Sequence, residues 1–307
     1  MATILVTGGA GFIGSHVVEL IQAAGDTAVV VDDLSKGSLA NLPGDVAVTE
    51  ASIADRAAMQ MLAAELTDVK AIIHCAAQAS VVASTEDPEH DLRVNIAGTI
   101  NILDIAAAHA CPLVFTSTGG AIYGETAPRP TPETSATEPG APYGASKAAA
   151  EIYVRLWARR DGLPHTICRL GNVYGPRQRG DGEAGVVAIF ASRLRDNQPM
   201  TLYGFGEPTR DYVHVHDVAR ALVGSIGTAG TYNIATGTET SVHEVYDLAR
   251  TAVPDSTSGE PELAPLRPGE LQASCLDTTR AADALGWSPE IDVATGIPST
   301  IRSLLNL

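Results

Sequence analysis

The sequence has few cysteines, few aromatic residues and little positive charge. Of 307 residues, 4 are cysteine and 5% are aromatic, and 20 Lys and Arg stand against 36 Asp and Glu, a formal net charge of −16. Because nucleic acids and anionic membranes bind basic faces, this balance argues against both as partners. The length and the 45% content of hydrophobic residues suit one large globular domain or two unequal ones.

The four cysteines, at positions 75, 111, 168 and 275, have no metal-binding or redox spacing, and we interpret them as small buried hydrophobic residues. His214 and His216 lack a third ligand nearby, so we expect a strand end and a helix cap there and no metal site. The chain also lacks a basic cleavable leader and an apolar run of membrane-spanning length. These absences predict a soluble, reduced, cytoplasmic protein.

A glycine-rich turn follows the first predicted strand, Thr3–Thr7. Gly8, Gly11 and Gly14 form a G-x-x-G-x-x-G pattern that leads directly into a predicted amphipathic helix over 12–24. Glycines at this spacing allow a tight turn, close approach of the backbone to a pyrophosphate, and close packing of the helix on the strand. The pattern therefore predicts a dinucleotide-binding turn.

Two acidic residues end the second predicted strand, 27–31. Asp32 lies 18 residues beyond Gly14, near the spacing at which a carboxylate binds the ribose hydroxyls of NAD. A carboxylate there would repel the 2′-phosphate of NADP. Asp33 could share the role, a simple turn aspartate is the alternative, and Lys36 nearby keeps NADP open.

Strands and helices continue to alternate along the first half of the chain. Strands are predicted at 46–49, 71–75 and 113–116, and helices at 55–66, 88–110 and 143–160. This alternation is typical of an α/β protein with a doubly wound parallel sheet. Asn95 lies inside the predicted long helix, either as a surface amide or as a residue near a cofactor.

Residues with acid–base potential follow the fifth predicted strand. Thr118 comes just after it, where ligands bind parallel sheets. Tyr143 and Lys147 are four apart on a predicted helix, so they share one face. A lysine ammonium beside a phenol lowers the pKa of the phenol and can make it a base. An exposed, solvated pair is the alternative.

The ordered set of motifs resembles the extended short-chain dehydrogenase/reductase family and, within it, the nucleotide-sugar epimerases. The motifs are the glycine turn, His74-Cys75-Ala76-Ala77-Gln78, Tyr143-x-x-x-Lys147 and Thr209-Arg210-Asp211-Tyr212-Val213. The resemblance implies a Rossmann domain that binds NAD, over 1–171 and 210–236. It also implies a smaller, discontinuous α/β domain for the nucleotide sugar, over 172–209 and 237–307.

The resemblance also implies roles for individual residues. Tyr143 would be the base, Lys147 would lower its pKa, and Thr118 would hydrogen-bond the sugar. Residues expected to contact NAD are Gly8, Gly11, Phe12, Ile13, Gly14, Asp32, Asp33, Ser52, Ile53, Ala76, Ala77, Gln78, Asn95, Tyr143 and Lys147. Residues expected to contact the sugar nucleotide are Ser80, Thr118, Gly119, Gly120, Tyr143, Asn172, Val187, Tyr203, Arg210, Arg267, Glu270 and Ser274.

Two positions depart from the family pattern. Ser52 stands where many relatives carry an acidic residue toward the adenine, so that contact would pass to a hydroxyl. Ser274 stands where the family limits the size of the sugar pocket. Its small side chain leaves room for a 2-acetamido group.

The implied activity is 4-epimerisation of a UDP-hexose through a 4-keto intermediate. A dehydratase is the nearest alternative, but that subgroup places an Asp-Glu pair after the threonine, where this chain has Gly119-Gly120. A reductase that releases its cofactor and a non-catalytic dinucleotide-binding module are further alternatives.

The identity of the sugar nucleotide and the assembly stay open at this stage. UDP-glucose and UDP-N-acetylglucosamine are candidates, and dTDP could replace UDP. UDP-glucuronate is a candidate because several arginines lie near the predicted substrate segment, at 177, 179, 193 and 195. A homodimer through the helices 88–110 and 143–160 is expected from the family.

Overall fold

The computed structural model describes residues 2–180, 185–267 and 270–307. In chain order the described strands and helices are β1 (Thr3–Thr7), α1 (Phe12–Ala23), β2 (Thr27–Asp32), β3 (Ala47–Glu50), α2 (Arg56–Glu65), β4 (Val69–His74), α3 (Val81–Glu86), α4 (Pro88–Leu92), a π-helical turn (Arg93–Gly98), α5 (Thr99–Ala108), β5 (Leu113–Thr118), α6 (Pro142–Asp161), β6 (Thr166–Leu170), β7 (Asn172–Tyr174), α7 (Val186–Arg195), β8 (Thr201–Tyr203), β9 (Thr209–Arg210), β10 (Tyr212–His214), α8 (Val215–Gly224), β11 (Gly230–Ile234), β12 (Thr240–Ser241), α9 (Val242–Ala252), β13 (Glu262–Ala264), α10 (Thr279–Leu285) and α11 (Val293–Leu305).

Seven parallel strands form the central sheet, in the order β11–β6–β5–β4–β1–β2–β3. The chain starts in the middle of this sheet, builds outward through β2 and β3, and then crosses back to β4. The order therefore reverses between β1 and β4, and a ligand crevice is expected at the carboxyl ends of these two strands. The predicted α/β fold with a doubly wound sheet is confirmed.

Side chains of the strands alternate between two buried cores. Val6, Val30 and Ile73 point to the side covered by α1 and α8. Their neighbours Leu5 and Ile72 point to the other side, covered by α2, α5 and α6. Because both faces of the sheet are buried, the strands are continuous apolar runs instead of alternating polar and apolar residues.

The helix predicted over 88–110 is observed as a continuous helical run over 88–108, in which a π-helical turn joins α4 to α5. Asp87 caps the short helix α4 by accepting a hydrogen bond from the His90 N–H at 2.9 Å. A π-helical turn that contains Asn95 then connects α4 to α5. π-Helical turns insert a residue into the helix and often occur at functional sites. The helix α3, directly before Asp87, was not predicted.

A third core lies outside the central sheet, between α7, α9 and α11. Its large side chains include Tyr174, Phe190, Tyr212, Tyr246 and Ile297. Short two-stranded pairings, β7 with β10, β9 with β12 and β8 with β13, lie in the same half of the chain. The division into domains at 171, 209 and 236 stays a prediction.

The cysteine and histidine expectations can be compared with the structure. Three of the four cysteines are buried, Cys75 is half-buried, and none forms a disulfide. His214 caps α8 by accepting a hydrogen bond from the His216 N–H at 3.3 Å. Across 2–180, 185–267 and 270–307, no three metal-ligating side chains are grouped, and no helix is long and apolar enough to cross a membrane.

The turn between β1 and α1 has room only for glycine. Gly8 has φ +67°, a left-handed conformation that favours glycine, and its N–H donates to the Val31 carbonyl at 2.8 Å. A β-carbon on Gly14 would lie 2.2 Å from the Gly8 carbonyl oxygen. The turn therefore closes on itself through direct backbone contact, and it depends on the absence of side chains.

We predict that Gly14→Ala destabilises the protein, because the added methyl group cannot fit without moving the turn. The expected loss is on the order of 1–3 kcal/mol of unfolding free energy, typical of an overpacked site. Urea unfolding measures this difference. Gly44→Ala is the matched control, because no atom lies within 4 Å of its β-carbon position. Equal stability of the two variants would contradict the prediction.

Candidate active site

The strand β5 and the helix α6 bring a threonine and a tyrosine together at the carboxyl edge of the sheet. The strand is two residues longer than predicted, so Thr118 is its last residue. Pro142 begins α6, where a missing N–H costs nothing, and Tyr143 is the second residue of the helix. The Tyr143 phenol forms a hydrogen bond with the side chain of Thr118.

Burial dominates the acidity of the Tyr143 phenol. It raises the pKa of Tyr143 to about 12, the hydrogen bond with Thr118 lowers it, and the charge of Asp91 raises it. Because burial disfavours the charged phenolate, the residue is protonated at neutral pH in the protein alone. A base of this kind needs further positive charge beside it during the reaction.

Lys147 is buried beside Tyr143 but points elsewhere. Its ammonium donates a hydrogen bond to the Thr116 carbonyl at 2.9 Å and lies 4.7 Å from the centre of the Phe115 ring. Burial lowers the pKa of Lys147 to about 8. The expected lowering of the Tyr143 pKa by Lys147 is therefore not seen among the described residues, and the hydrogen bond with Thr118 has that effect.

Asn95 joins the loop after β4 to α6, the helix that carries Tyr143 and is called the catalytic helix below. It is 1% exposed, and its side chain pairs with both the N–H and the carbonyl of Gln78 at 2.9 Å. The same amide lies 3.0 Å from the Ser146 hydroxyl and 3.0 Å from Asp91. Asn95 is thus a buried linking residue, and its predicted contact with the cofactor stays a prediction.

The start of the catalytic helix is also held by α3. The Tyr143 N–H donates to the Ser84 hydroxyl at 3.1 Å. Ser80, predicted to contact the substrate, caps α3 by accepting from the Ala83 N–H at 2.9 Å. A helix that sequence analysis missed therefore positions the backbone of Tyr143.

The start of α1 fits the pyrophosphate of a dinucleotide. Gly11 caps the helix without a side chain, and the first turn contains no acidic residue. The backbone N–H groups there have no side-chain partner, and the helix dipole favours an anion at this end. Phe12 and Ile13 begin the helix and are half-buried. NAD, when bound, would be held here by the glycine turn.

The two acidic residues after β2 have different surroundings. Asp32 is 7% exposed and accepts from the Ala10 N–H at 3.0 Å and from the Leu34 N–H at 2.9 Å. It therefore lies against the glycine turn, as a ribose ligand requires. Asp33 is exposed and accepts from Ser35 at 3.0 Å, as a turn residue would.

Four further predicted cofactor residues line the same edge. The Ser52 hydroxyl accepts from the Ala54 N–H at 3.3 Å, and Ile53 is buried. The Ala76 N–H donates to the Thr7 hydroxyl at 3.1 Å, and Ala77 follows it in the loop after β4. These residues follow the carboxyl ends of β3 and β4, at the edge of the sheet where a ligand is predicted.

The two glycines after Thr118 lie where the surrounding residues leave little room for a side chain. A β-carbon on Gly119 would lie 2.3 Å from the Leu276 side chain, and one on Gly120 would lie 3.1 Å from the Asn172 side chain. The Gly119 N–H also donates to the Leu170 carbonyl at 2.7 Å. An acidic residue at 119 would have to displace Leu276.

Three predicted substrate residues lie on neighbouring backbone segments beside these glycines. The Asn172 N–H donates to the Asp211 carbonyl at 2.7 Å, which sets Asn172 next to Arg210. The Ser274 N–H donates to the Thr209 carbonyl at 3.2 Å. Asn172, Arg210 and Ser274 are therefore brought together at one side of the Thr118 site.

Arg267 packs on Tyr203 at the outer part of this region. Its guanidinium lies 3.8 Å from the centre of the Tyr203 ring and 3.6 Å from the carboxylate of Glu270. The side chain is 51% exposed, so its ends can reach a ligand. Residues 268–269, which connect Arg267 to Glu270, lie outside the described residues.

Other predicted contacts are directed away from the site. Val187 is 1% exposed in the core of α7, α9 and α11, so its contact with substrate stays a prediction. Arg177 pairs with Glu19 of α1, and Arg195 pairs with Asp196 at 3.0 Å. Two of the four arginines that suggested a uronate substrate therefore already have acidic partners within the protein.

Sequence analysis did not identify three buried charged residues near the site. Asp91 lies four residues before Asn95, and Glu151 lies four residues after Lys147, so helical spacing could have identified both. Asp91 accepts from Gln78 at 2.9 Å, and Glu151 forms an ion pair with Arg169 at 2.7 Å.

Comparison with known proteins gives consistent results. The model of the NAD dependent epimerase/dehydratase family matches residues 4–235. A UDP-glucose 4-epimerase from Mycolicibacterium smegmatis is 41% identical, over 98% of this chain and 98% of that protein.

Two crystal structures of UDP-glucose 4-epimerases are also similar over nearly the whole chain. The one from Thermotoga maritima, with UDP-glucose, has a TM-score of 0.94 and 40% identity, over 99% of each chain. The one from Thermus thermophilus, in complex with NAD, has a TM-score of 0.90 and 41% identity, over 98% of each chain. With its glycine turn, its Tyr143 and Lys147 and these matches, the chain belongs to the NAD-dependent epimerase/dehydratase family.

Proposed function

We propose that the protein is an NAD-dependent 4-epimerase of a UDP-hexose, with UDP-glucose and UDP-galactose as the first substrates to test. One observation carries this proposal: Thr118, whose side chain is hydrogen-bonded to Tyr143, is followed by two glycines instead of acids. The similar epimerases from M. smegmatis, T. maritima and T. thermophilus support the same activity.

Tyr143 takes the proton of the C4 hydroxyl of the sugar and later returns it. Thr118 forms a hydrogen bond with the phenol and lowers its pKa, which favours the phenolate form that accepts the proton. When bound, NAD supplies hydride transfer at C4 and a positive charge near the phenol. The family resemblance assigns Lys147 to the nicotinamide ribose of NAD, and its ammonium donates a hydrogen bond to the Thr116 carbonyl.

Dehydration is disfavoured by the residues after Thr118. It needs an acid and a base for C5 and C6 of the sugar, and neither glycine has an ionisable group. Gly119 has no space for a larger side chain because Leu276 occupies it. The same contact supports epimerisation over the dehydratase branch of the family.

We assign the binding of the nucleotide diphosphate to two arginines. Arg210 and Arg267 carry the forked guanidinium that binds phosphate in a bidentate manner. Ser274 is small and 9% exposed beside Gly119, and the family resemblance assigns this position to the sugar pocket, where a small side chain would accept a 2-acetamido substituent. Activity on UDP-N-acetylglucosamine is therefore expected as well.

Cytoplasmic location stays a prediction from the sequence.

Product analysis tests the proposed function. We expect purified protein, incubated with UDP-glucose, to form UDP-galactose until equilibrium, with no 4-keto-6-deoxy sugar, as resolved by chromatography and NMR. Tyr143→Phe should lose about 10²–10⁴-fold in kcat while it keeps NAD, because the base is missing. Tyr153→Phe on the same helix is the matched active control. A 4-keto-6-deoxy product would instead identify a dehydratase.

We also propose that the protein forms a homodimer through α6 and the α3–α4 region. Large apolar side chains are exposed on both: Ile152 is 61% exposed and Leu156 43% on α6, and Leu92 is 51% exposed on α4. Ile152 and Leu156 are one turn apart, so they form one stripe. A second copy of the chain would cover this face, as expected from the family.

We predict that Ile152→Glu converts the dimer into monomers, because two added charges would be buried at a two-fold interface. Sedimentation measures the mass, for which the 31.8 kDa chain gives the monomer reference. Met61→Glu is the control, since Met61 is 65% exposed on α2, away from this face. A monomeric wild-type protein would contradict the proposed dimer.

A further inference from the structure

A buried ion pair lies one helical turn beyond Lys147. Glu151 of α6 is 0% exposed and Arg169 of β6 is 4% exposed. The guanidinium donates to both carboxylate oxygens, from Nε at 2.9 Å and from Nη2 at 2.7 Å. Burying two charges is expensive even when they are paired, so the pair contributes less to stability than its geometry suggests. Its connections indicate a second role.

The first connection leads to the strand that carries Thr118. Ser117 and Arg169 are directly opposite each other in the β5–β6 register. The Ser117 hydroxyl donates to Glu151 Oε1 at 2.7 Å. With Lys147 bound to the Thr116 carbonyl, α6 is therefore fixed to two successive residues of β5. The next residue along the strand is Thr118, which is hydrogen-bonded to Tyr143.

The second connection leads to the loop after Gly119 and Gly120. Arg169 Nη1 donates to the Tyr123 hydroxyl at 2.8 Å and to the Glu133 carbonyl at 3.3 Å. The Tyr123 hydroxyl donates in turn to the Asn233 side chain at 2.8 Å. One guanidinium thus holds the catalytic helix, through Glu151, and the substrate side of the site, through Tyr123.

We propose that Glu151 and Arg169 are positioning residues that fix the Thr118 hydroxyl against the Tyr143 phenol and hold the 119–123 loop beside them. Turnover then depends on the pair beyond its effect on stability. The proposal rests on the proposed function, because it concerns the proton transfer at the same site. A displacement of about 1 Å in such a geometry can reduce the rate about 100-fold.

The charge of Glu151 also acts on Lys147. The ionisable groups that face Lys147 are His74 and Cys75 at the end of β4, Asp91 of α4 and Glu151 of α6. Burial lowers the pKa of Lys147 to about 8, while the charges of Asp91 and Glu151 raise it. Without the charge of Glu151, the pKa of Lys147 falls further. Because the ammonium of Lys147 binds the Thr116 carbonyl and so fixes α6 to β5, the alkaline limb of the pH–rate profile then moves to lower pH.

The experiment compares four variants of the full-length protein loaded with NAD. Glu151→Gln leaves the Arg169 charge unpaired, and Glu151→Met combined with Arg169→Met replaces the pair by apolar side chains. Ser117→Ala removes only the connection to β5. Arg155→Ala is the control, because Arg155 is 42% exposed and contacts the same carboxylate at 3.0 Å from the outside.

We expect the double variant to unfold at a temperature near that of the wild type, since apolar replacement of a buried pair is often neutral. Its kcat should nevertheless fall by about 10-fold or more, with KM for the sugar nucleotide within about three-fold, because position and not binding is lost. Glu151→Gln should lower both kcat and thermal stability and shift the alkaline limb to lower pH. Arg155→Ala should match the wild type.

A double variant with wild-type kcat would overturn the proposal, because the pair would then serve stability alone. If both pair variants fail to fold, Ser117→Ala decides: a reduced kcat at wild-type stability supports positioning, and an unchanged kcat contradicts it. Failure of the proposed function appears separately, as an absence of epimerisation in the wild type and in Arg155→Ala. The kcat comparison is then made with whichever sugar nucleotide reduces the bound NAD.

Discussion

The chemistry of this site depends on a phenol that is buried at the carboxyl edge of a parallel sheet. Burial is the main reason that the pKa of Tyr143 is raised to about 12, which would leave it a poor base at neutral pH. The hydrogen bond with Thr118 opposes this effect, and a bound cation beside the phenol would oppose it further. Most of the surrounding structure fixes the relative positions of the phenol, its hydroxyl partner and the cofactor turn.

Close contacts at two glycines fix these positions, one on the cofactor side and one on the substrate side. On the cofactor side, Gly14 touches the Gly8 carbonyl, so α1 starts directly at the end of β1. On the substrate side, Gly119 lies against Leu276, which belongs to the last part of the chain. Both contacts exclude side chains, and the second also excludes the acids that a dehydratase would use. Packing and reaction type are therefore linked at Gly119.

Much of the fold and the core of the site could be predicted from the sequence. The glycine turn, Asp32, Thr118 and Tyr143 belong to local patterns with a fixed spacing, and such patterns keep their meaning whatever the tertiary structure. The strand–helix alternation likewise predicted the parallel sheet. The prediction that Lys147 lowers the Tyr143 pKa came from helical spacing and from the family resemblance, and it stays a prediction; the structure shows the Lys147 ammonium bound to a strand carbonyl.

The long-range polar contacts could not be predicted. The π-helical turn at Asn95 coincides with hydrogen bonds from its side chain to Gln78 and Ser146, residues 17 and 51 positions away in sequence. The partners of Glu151 lie on β5 and β6, so only the folded sheet brings them together. Helical spacing marks such residues as buried on the catalytic face, but their partners depend on strand register, which the sequence pattern does not contain.

We propose that the Tyr143 phenol becomes the base although burial opposes its ionisation. A pH titration of phenolate absorbance, taken as the difference between wild type and Tyr143→Phe with NAD loaded in both, measures this directly. We predict one phenol that titrates below the pKa of about 12 that Tyr143 has in the protein alone, and a higher midpoint in Thr118→Val. A midpoint at or above 12, or no difference between wild type and Tyr143→Phe, would contradict it.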